Sequence, residues 1–351
     1  MESQVEGLPF NTIKSLFGIS HSKTAILKAE AEERIPRAHR VKIGDTGREQ
    51  RIWDFGQVAL IGERYGFLKH PEKPTVVTIF STKGGILKST LALNIARTHA
   101  LHNIKTVVVD LDPQGDSSKN LGLDLSEDSF EDLDEVDKKL EAIGGLFDVK
   151  TGRVSLNDIL QPTDLPTLQF IPANSELVPL MELIGTEVRR EYWIKENVIE
   201  PLKALGYELI ILDLAPSWSL YTSNALAASN LLVSPLECKI AHYRNIREFT
   251  RYLDGFIKKM GIGNQLQTLF VPVKTSATRK LSMQIKQFYH NAVPGCSHGS
   301  IRESVTGEEA VANRVSVLEY SQKSTLAEEV KELMIEINSK MATKAKERQV
   351  Q

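Results

Sequence analysis

Residues 75–93 read TVVTIFSTKGGILKSTLAL, and the reading of the whole chain turns on this stretch. A β-branched run from Thr75 to Ile79 leads into the pair Gly84-Gly85, and then into a proline-free segment carrying Leu91, Ala92 and Leu93. Strand, glycine turn and helix in that order let backbone N–H groups curl around phosphate oxygens while the helix N-terminus points its positive dipole end at them. Lys88 offers the charge that pairs with β- and γ-phosphates, and Ser89 the hydroxyl that suits Mg2+. Lys83, Gly84, Gly85, Ile86, Leu87, Lys88, Ser89 and Thr90 are therefore read as a nucleotide cradle.

Downstream, short apolar strands alternate with helices, the pattern of βαβ units on a mainly parallel sheet. Strands are predicted at 76–81, 106–112, 168–173, 208–214, 231–236 and 268–273. Helices are predicted at 89–102, 187–205, 240–260 and 282–290, with a last amphipathic one near 323–346. Two strands end on aspartates: Asp112 in VDLDPQG (109–115) and Asp213 in LIILDLAPS (209–217). An aspartate after a strand is often only an end cap, and a glycine pair only a turn. Three such elements in order, each at the carboxyl edge where open α/β sheets bind ligands, favour a nucleotide site.

The ordinary phosphate-loop pattern G-x-x-x-x-G-K-[ST] fails here at both glycines, since Thr82 and Leu87 occupy them. What remains, K-G-G-x-x-K-[ST] over residues 83–89, resembles the deviant Walker A motif of the ParA/MinD ATPases, and the match extends over nearly all of residues 75–340. Glycine is usual at position 87 in much of that family, whereas plasmid partition relatives often carry another residue. The resemblance implies ATP and Mg2+ as ligands and an ATP-bound homodimer in which Lys83 reaches the partner subunit's phosphates. It also implies that Asp112 positions the attacking water and that Ser89, Asp112 and Asp213 are the Mg2+ residues. By the same resemblance Arg302, in IRESV (301–305), is a candidate for nonspecific DNA binding, and a ParB-like centromere-binding protein is the expected trigger of hydrolysis. A surface or salt-bridged arginine is the competing reading of Arg302.

Upstream, residues 8–67 form a unit of their own. Phe10 to Phe17 reads as a short helix, Gly18-Ile19 as a turn with Ser20 as the following cap, and His21 to Glu33 as a second helix. Between Arg34 and Arg51 there are six Lys or Arg against two acids. The unit resembles the winged or MerR-like helix-turn-helix region that precedes the ATPase in larger plasmid ParA proteins. In that reading His21, Ser22 and Lys23 face a major groove, and Arg37 and Arg40 contact phosphates. Operator binding and autoregulation are the expected consequence. The organisation expected is a small all-α or winged helix-turn-helix domain at 1–70, a linker through His70-Pro-Glu-Lys-Pro74, and an α/β P-loop NTPase domain at 75–345 flanked by helices.

Composition narrows the alternatives. The 351 residues are 41% hydrophobic and 25% charged with a formal net charge of −2, so any basic surface must be local. Residues 124–137 hold eight acids and no base, read as a solvated insertion. MESQVEGLPF lacks a secretory pattern and no apolar run approaches a bilayer's width, so a cytoplasmic protein without a membrane role is expected; association with the nucleoid is what the resemblance implies. Cys238 and Cys296 show no cluster-ligand spacing, which speaks against an electron-transfer relative. A MinD-like positioning ATPase would need a basic amphipathic C-terminal helix, but residues 326–348 balance five acids with five bases. A DNA-binding repressor with a vestigial ATPase portion stays open.

Overall fold

The computed structural model describes residues 6–43, 48–123, 135 and 143–347; apart from Glu135, the acidic stretch lies outside them. The chain opens with β1 (Gly7–Pro9), α1 (Phe10–Phe17), α2 (Lys23–Ala31), β2 (His39–Ile43), β3 (Arg48–Asp54) and α3 (Phe55–Tyr65). The three strands form an antiparallel sheet in the order β1-β3-β2, so much of the basic segment is a hairpin. Gly18 closes α1 in the left-handed region at φ 65°. The cap of α2 is Ser22, not Ser20: its extended backbone lets the hydroxyl accept the Ala25 N–H at 3.2 Å.

The second sheet has eight strands. It is built from β4 (Thr75–Ile79), α4 (Lys88–Ala100), β5 (Thr106–Leu111), α5 (Asp116–Asn120), α6 (Leu146–Lys150), β6 (Gln161–Pro162), β7 (Leu168–Ile171) and α7 (Leu177–Gly185). Then come α8 (Glu200–Ala204), β8 (Leu209–Leu214), α9 (Leu220–Ala228), β9 (Leu231–Glu237), α10 (Ile240–Met260), β10 (Gln267–Thr275), α11 (Lys280–Ala292) and β11 (Ile301–Arg302). The chain ends with α12 (Val305–Ala312), α13 (Val317–Tyr320) and α14 (Thr325–Glu347). Strand order is β11-β10-β9-β4-β8-β5-β7-β6, parallel throughout except for the β6 edge.

Alternation along the strands divides the core into two layers. Val77, Val108, Ile211 and Val233 face one side with α4, α13, α14 and the N-terminal unit. Val76, Val107, Ile210 and Leu232 face the other with α7, α9, α10 and α11. The apolar stripe of α14, including Leu326, Val330, Met334 and Ile337, is buried against the first layer, which accounts for its amphipathic pattern by packing.

The helix predicted across 187–205 is instead broken. A 3₁₀ turn at Arg190–Tyr192 precedes a π segment at Lys195–Ile199, and α8 follows. Arg189 sits at φ 62°, outside a right-handed helix, and Pro201 cannot donate the N–H a regular helix would require.

The expected linker is not a free tether. His102, at the end of α4, accepts the Phe67 N–H on Nε2 at 3.2 Å and holds the Thr98 carbonyl from Nδ1 at 2.7 Å, with Phe17 and Phe67 rings set edge-on against it. Beyond it, Lys69 and Asn338 exchange two hydrogen bonds, and His70 meets Glu208 at 2.7 Å. Ile13, Leu16 and Phe17 thus share one core with Leu101, Ile104 and α14.

Candidate active site

β4, β8 and β5 lie side by side, and the register sets Ile79 and Asp110 beside Asp213. Topology therefore brings together the two motif strands and the glycine loop that the sequence spreads over more than a hundred residues. The loop leaves β4 and enters α4 through two left-handed residues, Gly85 at φ 67° and Leu87 at φ 66°. Gly85 has no atom within 4 Å of where a Cβ would lie, so its need for glycine is conformational. For Leu87 the same conformation costs about 1–2 kcal/mol. Its side chain packs on the core and lines a cavity of about 250 Å3 with Leu91, Ile301, Val317 and Val330, which offsets part of that cost.

Lys88 is buried at the start of α4, and its Nζ lies 3.4 Å from the Lys83 carbonyl. Burial pulls its pKa down, opposed by the carboxylates of Asp213, Asp112 and Asp116. Asp213 is almost fully buried; Oδ2 accepts the Ser117 hydroxyl at 2.7 Å, while Oδ1 has no hydrogen-bond partner. Burial raises its pKa, and the hydroxyls of Ser117 and Ser89 and the Lys88 charge counter the rise. A buried carboxylate oxygen left without a donor costs free energy unless something cationic or protic meets it.

Asp110 and Asp112 divide the work of their motif. Asp110 is buried and saturated, accepting the Ser118 N–H and hydroxyl at 2.8 and 2.7 Å and the Asp112 N–H at 3.2 Å. Asp112 is half-exposed, uses Oδ1 to accept the Gln114 N–H at 3.1 Å and thereby fixes the turn. Gly84, Ile86 and Thr90 complete the loop: Ile86 is buried, so only its backbone is available, and Thr90 lines the cavity beside Leu87.

The arrangement fits a hard cation held through phosphate. Among the described residues no group of three or more His, Cys, Asp or Glu could hold a metal alone. Mg2+ ordinarily takes one or two carboxylates and completes its shell with water and substrate phosphates, and the Asp213 carboxylate with the Ser89 hydroxyl supplies such a half-site.

Other predicted residues lie elsewhere. Lys83 turns away from the loop to the carboxylate of Glu237 at the end of β9. His21, Ser22 and Lys23 are exposed at the start of α2, with the His21 ring 5.3 Å from that of Tyr65. Arg37 pairs with Glu33 at 3.0 Å and Arg40 with Glu49 at 3.4 Å. Arg302 is engaged by Glu329 through its side chain, at 2.8 and 2.9 Å, and through its backbone N–H. Sequence reading missed Ser117, Ser118, Glu237 and the cavity wall; only the serines, just after DPQG, left a local signal.

Residues 74–268 match the family described as AAA domain. The chain is 29% identical over 192 residues to the chromosome partitioning protein ParA of Myxococcus xanthus, covering 55% of this chain and 62% of that one. It therefore spans a little under two thirds of that relative's length. It is 26% identical over 260 residues to the chromosome-partitioning ATPase Soj of Treponema pallidum, covering 73% of this chain and 93% of that one. In fold it resembles a crystal structure of a plasmid partition protein from Borrelia burgdorferi bound to AMPPNP, with a TM-score of 0.58, 19% identity and coverage of 76% and 100%. On the family match and the likeness to ParA and Soj, the chain belongs to the AAA-domain family, in its ParA-type branch.

Proposed function

We propose that this protein is an ATP-hydrolysing DNA partition protein. The observation that carries the reading is the buried Asp213 carboxylate, one oxygen of which has no hydrogen-bond partner, with the Lys88 charge and the Ser89 hydroxyl acting on the same group. Loop N–H groups from Gly84 to Lys88 and the α4 dipole bind β- and γ-phosphates, and the Lys88 ammonium takes their charge. Ser89 and Asp213 would hold Mg2+, which when bound neutralises charge on the phosphates. Asp112, half-exposed and pinned by its own turn, orients the attacking water. The apolar cavity beside Leu87 and Thr90 suits the nucleobase, with Lys274 and Ser304 at its polar edge.

In this reading ATP joins two copies face to face, Lys83 contacts the partner's phosphates, and the dimer binds arbitrary DNA in the cytoplasm, on the nucleoid. A ParB-like protein bound to the cargo triggers hydrolysis and release. His21, Ser22 and Lys23 at the start of α2 read an operator, with Arg37 and Arg40 near the backbone. Arg302 can join only by leaving Glu329. A MinD-like role on membranes is disfavoured because the α14 stripe is already buried. Turnover of ATP with Mg2+, measured with and without arbitrary duplex DNA, tests the proposal. Stimulated turnover is expected, and binding of DNA without any turnover would leave the repressor with a vestigial ATPase portion.

A further inference from the structure

The chain as a whole is slightly acidic, yet between Lys239 and Ala292 it carries ten Lys or Arg against two acids. Five of these cations, Arg244, Arg247, Arg251, Lys258 and Lys259, sit on the exposed face of α10. None of the five side chains has an ion-pair or hydrogen-bond partner among the described residues, unlike those of Arg37, Arg40 and Arg302. Arg244, Arg251 and Lys258 recur every seven residues, which places them in a near-straight row about 10.5 Å apart, with Arg247 one turn from the first two. The two acids, Glu248 and Asp254, lie on the same helix and leave its exposed face net positive. The next helix, α11, continues the charge with Lys280 and Lys286 and no acid, and the ring of Phe288 meets Tyr243 at 4.8 Å.

Unpaired arginines on a rigid helix are already organised for phosphate, because binding breaks no internal ion pair and releases counterions from the nucleic acid. We infer that the Arg244–Arg247–Arg251–Lys258 row of α10 is the surface that grips the phosphates of arbitrary duplex DNA. The identity of the polyanion rests on the partition reading above; the row itself does not. Exposed apolar side chains flank the row at Ile240, Tyr243 and Tyr252, so duplex is preferred to a lipid surface on the partition reading alone, and the vesicle arm of the test separates the two. The row lies on the layer of the sheet opposite the N-terminal unit. Arbitrary DNA and an operator thus need not compete for one surface.

The test compares full-length protein with the triple variant Arg244→Gln, Arg247→Gln, Arg251→Gln. Binding to a labelled random-sequence duplex is followed with ATP and Mg2+ across a salt series. The variant should fold and turn over ATP without DNA as the parent does, bind the duplex at least roughly tenfold more weakly, and show a log K against log salt slope shallower by about 2–3. Its sequence-specific footprint, carried by α2, should persist. Equal affinity and slope in parent and variant would overturn the inference and leave the partition reading intact. A parent that binds no duplex at all would overturn both. Binding to vesicles of phosphatidylglycerol in place of duplex, lost in the variant, would assign the row to lipid and overturn the inference.

Discussion

Lys83 donates to the carboxylate of Glu237, a residue 154 positions further along the chain. Glu237 is nearly buried, and its other oxygen is held by Lys239 at 2.7 Å, so two cations hold its pKa down against the effect of burial. In a single copy of the chain, the lysine proposed to serve a second copy is already occupied.

Lys83→Ala should therefore still bind ATP but dimerise poorly. Each copy loses one charged hydrogen bond, about 1.5–3 kcal/mol, so the symmetric dimer loses two and weakens roughly 10²–10⁴-fold. Glu237→Gln should act in the opposite direction by freeing Lys83. Sedimentation with ATP checks both, and wild-type dimers in Lys83→Ala would remove the face-to-face arrangement.

Asp112→Ala removes the group that orients water while sparing the phosphate loop, because Asp110 and not Asp112 carries the buried hydrogen bonds to Ser118. Turnover should fall by roughly 10²–10⁴ with ATP binding retained. Loss of ATP affinity comparable to that of a loop-lysine variant would show that Asp112 has been assigned the wrong role.

Buried histidines predict acid sensitivity. Burial lowers His102 to about 3 and His99 to about 4, against 6.5 in an open chain. Below pH about 6.5 the unfolded chain binds protons that the folded one refuses, so each such histidine removes about 1.4 kcal/mol per pH unit as the pH falls towards its folded value. Above pH 6.5 this contribution to stability is fully present. Denaturant midpoints at pH 7 and pH 5 should show the loss, and His102→Gln should flatten it by about one proton; an unchanged pH slope in that variant would place His102 outside the effect.

Docking of the N-terminal unit depends on a close approach. A Cβ at Gly62 would lie 2.0 Å from the Leu101 carbonyl and 2.7 Å from the Phe17 ring. Gly62→Ala should cost about 1–3 kcal/mol by overpacking this seam. Thermal unfolding measures it, and an unshifted midpoint would mean that the units separate readily.

Much of this architecture was legible because the βαβ part obeys local rules. All six predicted strands of the parallel sheet exist, and the helix predicted over 240–260 has those bounds. What escaped was set by tertiary structure or by single residues. The two-residue β6 and β11 are too short to show a pattern, and the strands of the hairpin carry charges at so many positions that no alternation marks them. Pro201 and Arg189 broke the helix expected between two strands over 187–205. The loop and both strand-end aspartates were readable as motifs, whereas Glu237 as the partner of Lys83 is a product of the β9–β4 pairing. The basic row on α10 was present in the sequence as a local excess of charge, but only the structure showed its cations to be unpaired.

The central claim is that nucleotide phosphates are held by the loop ending in Lys88, opposite Asp213. Calorimetric titration of Mg2+–ATP into the full-length protein and into Lys88→Ala tests it most directly. The account predicts saturable binding to the parent and none detectable in the variant, with the fold of both unchanged by circular dichroism. Equal affinity in the two proteins would contradict it.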